Sequence, residues 1–224
     1  MAETYTASHN WDISTGEARL VQEELRHKVI TEDRIDLKSI HRVAGVDVGF
    51  DRKQKLTRAA VAILSYPDLE PVEEHVIEQP TNYPYIPGLL SFREVPAILD
   101  VLNAVKTTPD VLLCDSQGLA HPRRFGLACH LGVITDLPAV GVAKSRLVGE
   151  HQDVPRTKGS WVPLLDEGEL IGCVLRSRTD VKPLYISVGH KVSLSTARQL
   201  VMNCLTRYRL PETTRRADKL ASNR

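Results

Sequence analysis

VLLCDSQGLAHPRRFGLACHLGVITDLPAVGVAK, residues 111–144, is the stretch that decides the fold. It opens on four apolar residues, Val111 to Cys114, and then places Asp115. It closes on a second apolar run, Ala139 to Ala143, ended by Lys144. Both runs read as strands buried on both faces, because they are short and continuously apolar. With a helix expected over Arg124–Thr135 between them, the span suits a parallel crossover. In open α/β sheets ligands collect at the C-terminal ends of such strands, and there this chain crowds acid, amide, imidazole and guanidinium groups between Asp115 and Arg124.

Upstream, Val43 to Val48 is another apolar run, interrupted by Asp47, and reads as a buried strand. Residues 58–65 and His75 to Ile77 follow as further strands, and Thr81–Gly88 is a loop rich in proline and tyrosine. Val95, Ile98, Leu99, Leu102 and Val105 recur at helical spacing. Proline fits the first turn of a helix, so Pro96 marks the start and Glu94 sits at the entrance. An amphipathic helix is expected over Glu17–Ile30. Downstream, 161–165, 170–176 and 184–190 alternate as strands do, with Asp166-Glu167-Gly168 as a turn. Ser193 is placed to cap a helix, and Pro211 to start a last short one. The expected class is α/β, a mixed central sheet with helices on both faces. One domain spans residues 17–224, preceded by a polar, flexible arm over residues 1–16.

The 29 basic and 28 acidic side chains nearly cancel, so net charge carries no nucleic-acid signal. Any basic surface must come from local segregation of charge. The four cysteines are far apart and form no CxxC pair, which argues against structural zinc and for reduced, buried thiols. The N-terminus has no apolar core of a signal peptide, and no apolar run approaches the roughly 20 residues of a membrane span. A cytoplasmic protein is expected.

Asp47 and Asp115 carry the sharpest chemical signal. A carboxylate inside an apolar strand is costly unless a cation, hydrogen bonds or water meets it. Two of them at one sheet edge would make a hard-oxygen site for Mg²⁺ or Mn²⁺. Each could also cap a turn or lie at a wet strand end. Glu94 could complete the site, or simply face a helix dipole. Gly118 and Gly126 permit close backbone approach. Lys144 could contact a phosphate or stabilise charge. Tyr83 to Gly88 is a stiff loop that either inserts between bases or packs inward, and periodicity does not decide between these.

The ordered motifs converge on a family. Gly45-Val46-Asp47-Val48-Gly49-Phe50, Pro84-Tyr85-Ile86-Pro87-Gly88, Phe92-Arg93-Glu94, Asp115-Ser116-Gln117-Gly118 with His121-Pro122-Arg123-Arg124, and Gly141-Val142-Ala143-Lys144 together resemble endonuclease V. Gly189 to Ser193, Leu210 to Glu212 and Ala217-Asp218 match as well, so the likeness runs from about Gly16 to Ser222. The resemblance implies a ribonuclease H-like fold. It implies cleavage at the second phosphodiester bond 3′ of deoxyinosine in DNA, initiating repair and leaving a 3′-hydroxyl and a 5′-phosphate. It also implies that Asp47, Glu94 and Asp115 hold Mg²⁺, with Mn²⁺ as substitute, and that His121 and Lys144 belong to the catalytic neighbourhood. Tyr85, with Ile86 and Pro87, would lead a wedge into the duplex. Gly88 and Leu90, with backbone near Ser116, Gly118 and Gly126, would line a pocket for the flipped hypoxanthine. A monomer is expected.

The chain departs from the family pattern twice. Ser116 stands where the family usually has glycine, and Asp218 where it often has histidine; Asp218 is a further candidate metal ligand. Three other readings compete. Inosine-bearing RNA is an alternative substrate of the same fold. A non-catalytic inosine or mismatch binder would lack a metal ligand, yet Asp47, Glu94 and Asp115 are all present. Asp47-Val48-Gly49 also resembles the first phosphate motif of actin-like ATPases, but Phe50 follows instead of Ser or Thr, and the chain is short for two such lobes.

Overall fold

The computed structural model describes residues 4–51 and 53–222. The apolar runs pair as one mixed sheet. β1 (Arg42–Asp51), β2 (Leu56–Ser65) and β3 (Pro71–Pro80) form an antiparallel meander. β4 (Val111–Cys114) lies parallel to β1, and β5 (Ala139–Ala143) lies parallel to β4. β6 (Trp161–Asp166), β7 (Glu169–Leu175) and β8 (Leu184–His190) return antiparallel, giving the order β3-β2-β1-β4-β5-β8-β7-β6.

Alternation within each strand splits the core into two layers. Ala44, Val46, Leu112 and Cys114 pack under α2 (Leu90–Ala104) and α3 (Leu127–Thr135). Val43, Val111, Leu113, Val140 and Val142 face the opposite side, where α4 (Leu194–Asn203) contributes Ala197, Leu200 and Val201. α1 (Thr15–Leu25) starts on a capping box in which Ser14 and Glu17 satisfy each other's backbone.

The two glycines around Asp47 explain how α5 (Glu212–Ala221) reaches the sheet. A Cβ on Gly45 would stand 2.2 Å from the Thr213 carbonyl, and one on Gly49 would stand 2.3 Å from the Ala221 oxygen. Residues 45, 47 and 49 share a face of β1, so the helix backbone rests on the bare glycines while Asp47 projects between them.

Some expected boundaries need correction. α2 begins at Leu90, so Glu94 lies one turn inside the helix and Pro96 in its second turn. The missing N–H of Pro96 removes one helical bond. Buried Phe92, Val95, Ile98, Val101 and Leu102 keep the helix in place regardless. α3 begins at Leu127, because Arg124 adopts a left-handed backbone (φ 53°) and Gly126 is the cap. The segment ahead of α1 makes definite contacts: Tyr5 and Asn103 exchange two hydrogen bonds of 2.8 and 3.0 Å, and Trp11 packs on Phe92 and His130. Among the described residues, no helix is long and apolar enough to cross a membrane.

Candidate active site

The parallel register between β1 and β4 places two carboxylates side by side. Val46 pairs with Cys114, so Asp47 and Asp115 are the next residues out, and the Asp115 amide donates to the Val46 carbonyl at 3.3 Å. Across the face cleared by Gly45 and Gly49, α5 brings Asp218. One carboxylate oxygen from each of Asp47, Asp115 and Asp218 lies within 4.8 Å of the others. Lys144, just past β5, sets its Nζ 2.5 Å from Asp115 Oδ2 and 2.9 Å from Asp218 Oδ1. Both contacts are ion pairs, and the second is also a hydrogen bond. Arg209 donates to the Lys144 carbonyl at 2.8 Å and to the Pro183 carbonyl at 2.7 Å, tying down the strand end that carries the lysine.

The electrostatics of this cluster are those of negative charge waiting for a partner. Burial, then the charge of Asp115, pushes the Asp47 carboxyl up to about 7, against the pull of Lys144. Burial also raises Asp115, with Lys144 opposing. Burial works against the Lys144 ammonium, but Asp115 and Asp218 outweigh it and hold the lysine above its ordinary range. Glu94 is not a member of the 4.8 Å cluster. It is enclosed and near enough to feel it: burial, then Asp47, pushes it up to about 8. All-oxygen donors, free of thiolate and imidazole, fit a hard divalent cation. Such an ion would offset the burial, and after it the like-charge repulsion, that raise Asp47 and Glu94.

Beside this centre, on the far side of Ser116, lies a largely apolar cavity of about 110 Å³. Tyr85, Ile86, Pro87, Gly88, Leu90, Ser116 and Gly126 line it. Gly118 is not in its wall. Its missing side chain serves packing, since a Cβ there would stand 2.0 Å from the Val188 carbonyl, while its amide donates to Ser187 Oγ at 2.9 Å. His121 is in this wall and outside the acidic cluster. Burial, then the charge of Arg123, pushes it down to about 4, so it is neutral at pH 7. In the loop Tyr83–Gly88, Tyr83 is buried and Tyr85 is 68% exposed.

The Gly88 carbonyl is the hub of the wall. It accepts from Arg123 Nη2 at 2.6 Å, Gln22 Nε2 at 3.1 Å and His121 Nε2 at 3.1 Å. Gly88 has φ 78°, and a Cβ there would meet Arg123 Nη2 at 2.8 Å, so both conformation and space call for glycine. Arg123 in turn donates to Gln22 Oε1 at 2.6 Å. Gln22 was not singled out from the sequence. It is a polar residue on the inner face of an amphipathic helix, and the structure buries it to 1%.

A mixed sheet with carboxylates on two adjacent parallel strands, a third from a crossing helix and a lysine at the next strand end is a ribonuclease H-like nuclease architecture. Residues 23–219 match the family model described as Endonuclease V. The chain is 57% identical to endonuclease V of Nostoc sp. over 216 residues, 96% of this chain and 97% of that one. The crystal structure of endonuclease V from Streptomyces avermitilis superposes with a TM-score of 0.90 at 43% identity, covering 95% of this chain and 93% of that one. That of Ciona intestinalis endonuclease V, in complex with a 24mer DNA containing an inosine followed by a ribo-adenosine, gives 0.80 at 30% identity, covering 92% and 95%. The chain belongs to the endonuclease V family, repair nucleases that cleave DNA 3′ of deoxyinosine.

Proposed function

We propose that this chain nicks the second phosphodiester bond 3′ of deoxyinosine, using Mg²⁺ and leaving a 3′-hydroxyl and a 5′-phosphate. One observation carries the reading: an acidic cluster and a small, largely apolar cavity share the turn Asp115–Ser116. A base held in the cavity therefore leaves its strand beside the carboxylates. Asp47, Asp115 and Asp218 would hold the cation, with Glu94 adjoining. When bound, it would place positive charge at the scissile phosphate and make water acidic enough to attack.

The chain's own groups do the rest. Lys144, fixed between two carboxylates, presents an ammonium whose proton stays on at any working pH, suited to the charge that develops on the phosphate. The exposed Tyr85 ring takes the stack position left by the extruded base, and a mispaired inosine is cheap to extrude. Neutral His121, with Arg123 and Gln22, holds Gly88 in the pocket wall and takes no part in proton transfer at the acidic centre.

A second reading is cleavage of inosine-bearing RNA. The ribo-adenosine that follows inosine in the Ciona complex favours testing it. The experiment is a set of matched end-labelled strands carrying inosine in DNA or in RNA, incubated with enzyme and Mg²⁺ and mapped at single-nucleotide resolution. A single cut immediately 3′ of the lesion's 3′ neighbour in DNA supports the main reading. Cutting confined to RNA selects the second, and cutting unrelated to inosine refutes both.

A further inference from the structure

The segment ahead of α1 lies before residue 23, where the match to the family begins, and it contributes nothing to the acidic cluster or the cavity wall. It nevertheless starts a chain of hydrogen bonds that runs into the first turn of α2. His9 Nδ1 bonds the Asn10 carbonyl at 2.9 Å, and His9 Nε2 stands 2.8 Å from His130 Nε2. His130 Nδ1 bonds Ser91 Oγ at 3.0 Å. His130 is fully buried on α3, and Ser91 is the second residue of α2, one turn before Glu94. Trp11 packs over the chain, its ring centroid 4.4 Å from that of His9, 5.2 Å from that of His130 and 5.9 Å from that of Phe92.

The chain has one direction. A carbonyl only accepts, so the Asn10 oxygen holds the His9 proton on Nδ1 and leaves Nε2 an acceptor. His130 then donates from Nε2, and its bare Nδ1 accepts the Ser91 hydroxyl. Both rings are neutral in this arrangement; burial, which holds His130 well below the ordinary imidazole range, favours it. The anchor falls where α2 lacks one of its own, because Leu89 at its N-cap makes no side-chain hydrogen bond. We propose that His9, acting through His130 and Ser91, is a positioning residue for cleavage: the arm fixes the first turn of α2, and with it the Glu94 carboxylate beside the cation centre. The inference rests on the reading of that centre given above. One helical turn moves as a unit, so a shift at Ser91 is a shift at Glu94. A displacement of about 1 Å far from the chemistry can cost about 10²-fold in rate.

The test uses the full chain with His9→Ala, Ser91→Ala, the double variant and His9→Gln, each assayed well below its own unfolding midpoint. His9→Ala should slow single-turnover cleavage of a deoxyinosine duplex about tenfold or more at saturating enzyme, with duplex affinity nearly unchanged. Calorimetry on the DNA-free protein should show Mg²⁺ bound about tenfold more weakly, the usual scale for losing a supporting contact around a metal. Ser91→Ala should lower rate and Mg²⁺ affinity to a similar extent. The double variant should lose no more than either single one, because both changes break one chain; independent residues would multiply their losses. His9→Gln, whose amide oxygen accepts from His130 as Nε2 does, should recover most of the rate. Wild-type rate and Mg²⁺ affinity in His9→Ala, multiplied losses in the double variant, or a His9→Gln protein as slow as His9→Ala would each overturn the proposal and leave the cation centre standing. A wild-type protein that does not cut in Mg²⁺ overturns the reading of the centre, and the proposal with it.

Discussion

Removing a negative charge from the acidic centre should stabilise the metal-free protein, and only at high pH. Asp47 ionises at about 7 in the folded chain, against 3.8 for the ordinary carboxyl. At 1.36 kcal/mol per pH unit, that gap corresponds to about 4 kcal/mol of folding free energy. Its sign follows from the direction of the shift. Below pH 4 the group is protonated in both folded and unfolded chains, and nothing is lost. As pH rises from about 4 to 7 the unfolded chain releases its proton first, and stability falls. Above 7 the full loss is present. Glu94, pushed up to about 8, extends the same decline. The two losses do not add, because the charge of Asp47 is part of what raises Glu94. Asp47→Asn keeps the shape and deletes the charge. Thermal unfolding in EDTA should therefore give wild type and variant similar midpoints at pH 3.5, where the group is protonated in both states. At pH 8.5 the variant should unfold higher by about 8–16 °C, at about 2–4 °C per kcal/mol for a chain of this size. Mg²⁺ should raise the wild-type midpoint at pH 8.5 much more than at pH 5, and the variant's far less. Parallel pH profiles for the two proteins would refute the electrostatic account of the site.

Lys144→Ala should slow single-turnover cleavage by about 10²–10³ at saturating enzyme while changing substrate binding little; an unchanged rate would place the lysine outside the chemistry. Tyr85→Ala should weaken binding to an inosine duplex by about one to two factors of ten, from the loss of about 1–3 kcal/mol of stacking, with a smaller effect on single strands. Equal losses on both substrates would make Tyr85 a packing residue. Gly88→Ala forces a left-handed backbone on a residue with a Cβ and drives that Cβ toward Arg123. Inosine binding should fall while Mg²⁺ affinity, measured by calorimetry, stays unchanged, and a parallel loss of metal binding would show the two sites are not separable.

How far the sequence was readable depends on how local each cause is. β4 and β5 were plain because a strand buried on both faces is written as an unbroken apolar run. Asp47 and Asp115 stood out because they interrupt or end such runs, and the register Val46–Cys114 then made them neighbours. The start of α2 was misplaced because Pro96 obeys a local rule that the buried stripe from Phe92 to Leu102 overrides. Tyr83 and Tyr85 could not be told apart, since burial of one and exposure of the other depend on α2 and the N-terminal segment packing from elsewhere. Asp218 entered only through the family resemblance. Nothing near it in sequence shows that α5 rests on two glycines of β1 and delivers it to Asp47. His121 entered the catalytic neighbourhood through the family resemblance, and the loop carries it into the cavity wall beside Gly88. Gln22 joins that wall from 66 residues away, a distance no local pattern bridges.

The central claim is that one acidic centre, served by a divalent cation, cuts beside a base held in the adjoining cavity. Single-turnover nicking of a deoxyinosine duplex, by wild type and by Asp115→Asn across a Mg²⁺ titration that starts in EDTA, tests it most directly. Wild type should cut once, at the second bond 3′ of the lesion, only as Mg²⁺ is added. Asp115→Asn should bind the same duplex and leave it intact. Nicking in EDTA, or near-normal turnover by Asp115→Asn, would contradict the account.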